Sequence, residues 1–142
     1  MLLSFSCDRM TRPSSSPDAE SVAEQFCVSY FSLHYAEAMT YCTDDSKKWL
    51  RFAASNIHES DLETLRADED GVSVSVIDVQ TSPADSTGSA TVRVRNYLSA
   101  DLIDGPATMV EEGFFHIDLV RQSGQWKVRM AGLPRSERQS RD

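Results

Sequence analysis

The chain predicts an α+β fold, with N-terminal helices packed on the concave face of a curved four-stranded antiparallel sheet. Three observations carry this. Ala19, Val22, Ala23, Phe26, Tyr30 and Leu33 recur at spacings of three and four, the stripe of an amphipathic helix. Residues 114–120 and 125–130 alternate apolar and polar positions on either side of a Ser123-Gly124 turn, the pattern of a hairpin with one buried face. No helical pattern separates the strand-like runs after residue 71, so consecutive antiparallel pairing is the simplest topology.

Composition bounds the rest. A chain of 142 residues suits one domain that buries about two thirds of its unfolded surface. With 40% hydrophobic and 25% charged residues it has the composition of an ordinary globular protein. No apolar run approaches the roughly 20 residues that cross a bilayer. Fourteen Lys and Arg against 22 Asp and Glu give a net charge of -8. That field repels phosphate backbones and anionic lipid surfaces, which argues against nucleic acid as a partner and against a membrane contact other than a lipid anchor.

Met1-Leu2-Leu3-Ser4-Phe5-Ser6-Cys7 has the look of the end of a bacterial lipoprotein signal, with small residues ahead of a cysteine that would carry the lipid. No Lys or Arg precedes Cys7, so the expected leader would extend upstream of Met1. The alternative is a frayed apolar end with an incidental thiol. Thr11-Arg12-Pro13-Ser14-Ser15-Ser16-Pro17 has nothing to bury and reads as a solvated spacer. The expected organisation is therefore a tether over 1–16, a domain over 17–133 and a disordered polar tail over 134–142. With Cys7 set aside, Cys27 and Cys42 form an even pair able to bridge two helices, worth about 3 kcal/mol for a loop near 15 residues. The other reading, which the residues favour slightly, is two buried free thiols behaving as small hydrophobes.

Ser16 is the expected cap of the first helix, with Pro17 in the first helical position and Asp18 and Glu20 at the positive end of the dipole. A shorter helical piece covers 34–42, with Tyr35, Ala38, Met39 and Cys42 inward. Thr43-Asp44-Asp45 caps a third helix whose stripe is Trp49, Leu50, Ala53 and Ile57. Ser60-Asp61-Leu62-Glu63 fits a capping box for a further turn, pinned by Leu62 and Leu65. Asp68-Glu69-Asp70-Gly71 closes the helical half.

Strands are expected at 72–80, 89–98, 108–120 and 125–130, separated by Ser82-Pro83 with Gly88, Asp104-Gly105-Pro106 and Ser123-Gly124. Phe115, Ile117 and Leu119 form one inward face, and Trp126, Val128 and Met130 another. On the second strand the inward row is Val92, Val94, Asn96 and Leu98, which turns Arg93, Arg95 and Tyr97 outward, across from His116 and Asp118. Asn96 is thus a polar group in an apolar row, available to a ligand or marking a bulge. Tyr30 and Trp49 are the other candidate lining residues of a cavity between sheet and helices, or else plain core aromatics.

This order of helices and strands, ending in the hairpin through Gly124-Gln125-Trp126-Lys127-Val128, resembles the cystatin-like, nuclear-transport-factor-2-like (SnoaL-like) superfamily. Within it the chain is most similar to small bacterial lipoproteins that join a Cys-led tether to a segment like Tyr35-Ala36-Glu37-Ala38-Met39-Thr40-Tyr41-Cys42. The resemblance implies a cone made by a curved sheet around a long helix, and a homodimer through the outer sheet face. The superfamily holds isomerases, dehydratases, epoxide hydrolases and non-catalytic binding domains, so fold alone leaves function open.

An enzyme on this fold needs an acid or base facing into the cone. His116 and Asp118 share the opposite face, and His34 with Glu37 fits a local ion-pair contact. Neither supplies the carboxylate and tyrosine arrangement of the isomerase branch, and the Asp-Arg-Asp set of the hydrolase branch has no counterpart. There is no phosphate-binding glycine loop, Cys-x-x-Cys or His-Glu-x-x-His, so no catalytic residue, metal or cofactor is expected. The reading is a binding or interaction domain of a periplasm-facing, lipid-anchored envelope protein. It would take a small apolar ligand or an envelope partner, and the alternative is a small-substrate acid-base enzyme of isomerase or dehydratase type.

Overall fold

The computed structural model describes residues 15–67, 71–82, 84, 86–99 and 108–134. Cys7 with most of its spacer, the Asp68-Glu69-Asp70 stop, the Asp104-Gly105-Pro106 turn and the tail after Pro134 lie outside these residues. The helices are α1 (Ser15–Phe31), α2 (Tyr35–Met39), α3 (Lys47–Ser55), entered through a 3-10 turn at Asp44–Ser46, and α4 (Glu59–Ala67). The strands β1 (Ser73–Ser82), β2 (Thr87–Ser99), β3 (Thr108–Gln122) and β4 (Gln125–Arg129) form one antiparallel sheet in sequence order.

α1 lies against all four strands. It starts at Ser15, so the expected cap Ser16 and first residue Pro17 both sit in its first turn, where a missing N–H breaks no helical bond. Ala19, Ala23, Phe26 and Phe31 are buried, with Val22 and Tyr30 packed at the margin. The helix stops two residues before the expected Leu33. Leu33 takes φ 67° and donates its N–H to the Tyr30 carbonyl at 3.1 Å, while His34 N–H reaches the Ser29 carbonyl at 2.8 Å. This paired closure satisfies two terminal carbonyls with a leucine where glycine is usual.

The second helical piece ends earlier than the sequence suggested. α2 stops at Met39, and Cys42 pairs in parallel with Val128. Val128 N–H donates to the Tyr41 carbonyl and Thr43 N–H to the Val128 carbonyl, at 2.8 and 2.9 Å. Residues 41–43 thus act as a short extra strand covering the outer edge of β4, which would otherwise be an unpaired template. In α3, Leu50 and Ala53 are buried, whereas Trp49 is only half-buried and Ile57 falls beyond the helix end. The box at the start of α4 is shifted by two residues: Asp61, not Glu63, is the acid that reaches back, accepting the N–H of His58 at 2.9 Å.

The sheet departs from strict alternation twice. In β1 the register shifts between Val76 and Asp78, turning Ile77 out to solvent, which explains the three-residue step from Val76 to Val79. In β2 the pairing with β3 passes from Arg95↔Glu112 to Tyr97↔Val110, and the residue between, Asn96, takes φ 56°. Asparagine tolerates this left-handed conformation better than most residues. The bend reverses the strand's alternation, so Tyr97, expected to face outward, is buried. Ser123 and Gly124 both have positive φ, the two-residue hairpin turn that the sequence implied. Phe115, Ile117, Leu119, Trp126 and Val128 are each at most 5% exposed, so the apolar wall expected from the terminal hairpin exists, with Met130 half-buried at its end.

Candidate functional site

The interior between α1 and the sheet is filled by rings. Phe31 sits 4.7 Å from Phe115 and 5.3 Å from Tyr97, which lies 5.4 Å from Phe115, measured between centroids. Tyr30 extends the cluster toward Tyr35 and Phe26, at 5.5 and 5.9 Å. The edge-to-face angles of several pairs suit the ring quadrupoles, and each such pair is worth about 0.5–1.5 kcal/mol beyond its area. Burial, then the nearby Asp61 carboxylate, pushes the Tyr35 hydroxyl up to about 12, so it stays protonated at neutral pH.

Of the three ligand candidates, Tyr30 belongs to this ring cluster and Asn96 makes the bend in β2. Trp49 stands on α3 with Lys48 Nζ 5.6 Å from its ring centre. None of them lines the cavity described next. Cys27 and Cys42 are free buried thiols, which corrects the reading of them as a bridge. Burial pushes the Cys27 thiol far up, and it raises Cys42 against the opposing pull of Lys47 and Lys127.

An open cavity of about 190 Å³ lies where β3 and the chain after β4 part company. Its floor is apolar, from Phe26, Ile117, Val128, Met130 and Leu133. Its rim carries His116, Asp118 and Arg129. Its cause is a connected set of hydrogen bonds. Met130 N–H donates to Ser46 Oγ at 2.8 Å, Ser46 and Thr43 hydroxyls meet at 2.6 Å, and Thr43 Oγ1 donates to Asp45 Oδ1 at 2.6 Å. Thr43 has one proton and gives it to Asp45, so Ser46 is the donor to Thr43. The bond from Thr43 holds the Asp45 carboxyl below its ordinary range against an opposing desolvation, with Arg129 adding a lesser downward pull. The chain is thereby drawn toward residues 43–46 and away from β3. Sequence reading missed this cavity because its walls come from β3, α1 and a segment with no regular structure.

The outer sheet face holds the charged patch expected there, with one substitution. Arg93 and Arg95 approach Glu112 at 3.8 and 3.5 Å, and His116 Nε2 lies 3.0 Å from Asp118 Oδ1. Phe114, paired with Arg93, presents the outward aromatic in place of Tyr97. His34 Nδ1 and Glu37 Oε1 are 4.0 Å apart in solvent, the local contact their spacing implied. Among the described residues no group of three or more His, Cys, Asp or Glu is placed to hold a metal, and no helix is long and apolar enough to cross a membrane.

Helices laid on one face of a four-stranded antiparallel sheet, in this order, make the two-layer α+β architecture expected from the sequence. Among solved structures the chain is similar to a "Putative NTF2-like transpeptidase" from Campylobacter jejuni. The two are 17% identical with a TM-score of 0.48, over 82% of this chain and 99% of that one. No protein-family model matches the sequence, and no curated protein matches it.

Proposed function

We propose that this chain is a non-catalytic binding domain that acts through its surface, pairing with a second copy through the outer face of its sheet. The carrying observation is the ring cluster of Phe31, Tyr97 and Phe115, which occupies the space where a cone-shaped enzyme of this architecture would hold substrate. The outer face supports the pairing. Arginines at 93 and 95 stand beside Glu112, and Asp118 stands beside His116, around the half-buried Phe114. A patch with both signs of charge around an aromatic is self-complementary under two-fold symmetry. Anchoring in the bacterial cell envelope is part of the same reading, supported by the short apolar stretch before Cys7 and the proline-serine spacer after it.

Sedimentation velocity of the full chain tests the reading. A dimer is expected that Phe114→Glu converts to a folded monomer, as judged by unchanged circular dichroism. A wild-type chain that stays monomeric at every concentration, or a dimer indifferent to Phe114→Glu, would overturn it.

A further inference from the structure

We propose that the outward face of α3, through Lys48, Arg51 and Phe52 with Trp49 at its margin, is a docking surface for an anionic lipid membrane. The proposal rests on the reading of the chain as a tethered envelope protein, and it uses a different surface from the outer sheet face. α3 turns Leu50 and Ala53 into the core. Lys48, Arg51 and Phe52 are exposed, and Phe52, at 52%, is the most exposed large apolar side chain among the described residues. Residues three and four apart share a helix face, so Phe52 stands beside both Lys48 and Trp49. Lys48 Nζ already lies 5.6 Å from the Trp49 ring centre. The Phe52 carbonyl accepts from Ser55 Oγ and Asn56 Nδ2, both at 2.8 Å, so this terminal acceptor is satisfied when the helix end meets an apolar layer.

Charge selects the occupant. Residues 46–58 contain Lys47, Lys48 and Arg51 and no Asp or Glu, in a chain where acids outnumber Lys and Arg by 22 to 14. Lys47 is taken by Asp44 at 3.0 Å, while among the described residues neither Lys48 nor Arg51 makes an ion pair. A face with cations only repels a second copy of itself, so unlike the outer sheet face it is unsuited to a two-fold dimer. Cations beside exposed aromatic rings match a membrane surface, where the rings enter the headgroup layer and the cations meet lipid phosphates. The overall charge of -8 works against approach from a distance. At contact it counts for little, because exposed charges beyond about 8 Å are largely screened at physiological ionic strength. A lipid on Cys7 would hold the domain beside the bilayer through residues 8–14, so a weak contact suffices.

The test couples the full chain through Cys7 to a maleimide lipid in vesicles, so its outcome does not depend on whether a cell lipidates that residue. In vesicles of phosphatidylglycerol and phosphatidylcholine, brominated acyl chains should quench Trp49 fluorescence. The quenching should vanish in Trp49→Phe, whose remaining indole is the buried Trp126. Each cation near an anionic leaflet strengthens contact about fivefold, so Lys48→Gln with Arg51→Gln should lower the ratio of docked to free domain about twenty-five-fold. Phe52→Ser should lower it too, with circular dichroism unchanged. Quenching that keeps its full strength in pure phosphatidylcholine, or in Lys48→Gln with Arg51→Gln, overturns the proposal, as does its absence from the anionic vesicles. Absence of quenching together with shifts of the α3 amide resonances by a polyglutamate peptide assigns the face to an acidic protein, which also overturns it. Dimerisation is read separately by sedimentation and cellular lipidation of Cys7 by fatty-acid labelling, so failure of either is told apart from failure here.

Discussion

Met130 N–H and Ser46 Oγ lie 2.8 Å apart across 84 residues of sequence, and this bond fixes where the last strand ends. Ser46 is fully buried. Removing its hydroxyl leaves the Met130 amide without its partner, and an unpaired donor in a part-buried site costs about 1–3 kcal/mol. Ser46→Ala should lose that amount in urea denaturation with an unchanged denaturant slope. The Met130 amide should also lose protection from hydrogen exchange.

The same set of bonds makes stability depend on acid. Asp45 titrates below its ordinary value of 3.8 in the folded chain because Thr43 donates to the charged form. A carboxyl with a lowered folded pKa stabilises fully above the unfolded value, and the contribution fades as pH falls through the lowered one. Stability should therefore decline below about pH 3.8, more steeply in the wild type than in Asp45→Asn. Denaturation midpoints measured across that range check the slope.

Leu33 closes α1 in a left-handed conformation, φ 67°, that an L side chain adopts at a cost of about 1–2 kcal/mol. Leu33→Gly removes that strain but gives up some half-buried surface and makes the unfolded chain freer. The net expectation is a gain of about 0.5–1 kcal/mol, read from the thermal midpoint at fixed pH.

Cys27 is fully buried, and its thiol is held in the protonated form, so it should resist thiol reagents in the native state. Cys42, with its Sγ–H directed at the Met39 carbonyl 3.6 Å away, should do the same. In a Cys7→Ala background, two thiols should titrate in denaturant without reductant. None there would restore the bridge.

Much of the fold was legible because burial writes itself into spacing. The α1 stripe and the alternation of Phe115, Ile117 and Leu119 each reflect one buried face, and the Ser123-Gly124 turn needed only local backbone chemistry. Tyr97 was misplaced because alternation assumes an unbroken strand, and one left-handed residue at Asn96 reverses it. Asn96 itself was visible as an anomaly, read as a ligand contact or a bulge, but β2 and β3 keep one register through it and the residue instead takes a left-handed conformation. The pairing of residues 41–43 with β4 and the cavity beyond it left no pattern, since both depend on partners far apart in the chain. The Cys27 and Cys42 pair was ambiguous for a related reason: an even count cannot distinguish a bridge from two small apolar side chains.

Ring-to-ring nuclear Overhauser effects on the full chain test most directly whether the interior is filled. Protons of Phe31 should correlate with those of both Tyr97 and Phe115, with no correlations to a co-purified molecule. Missing contacts between Phe31 and Tyr97, or contacts from these rings to a bound ligand, would contradict the account.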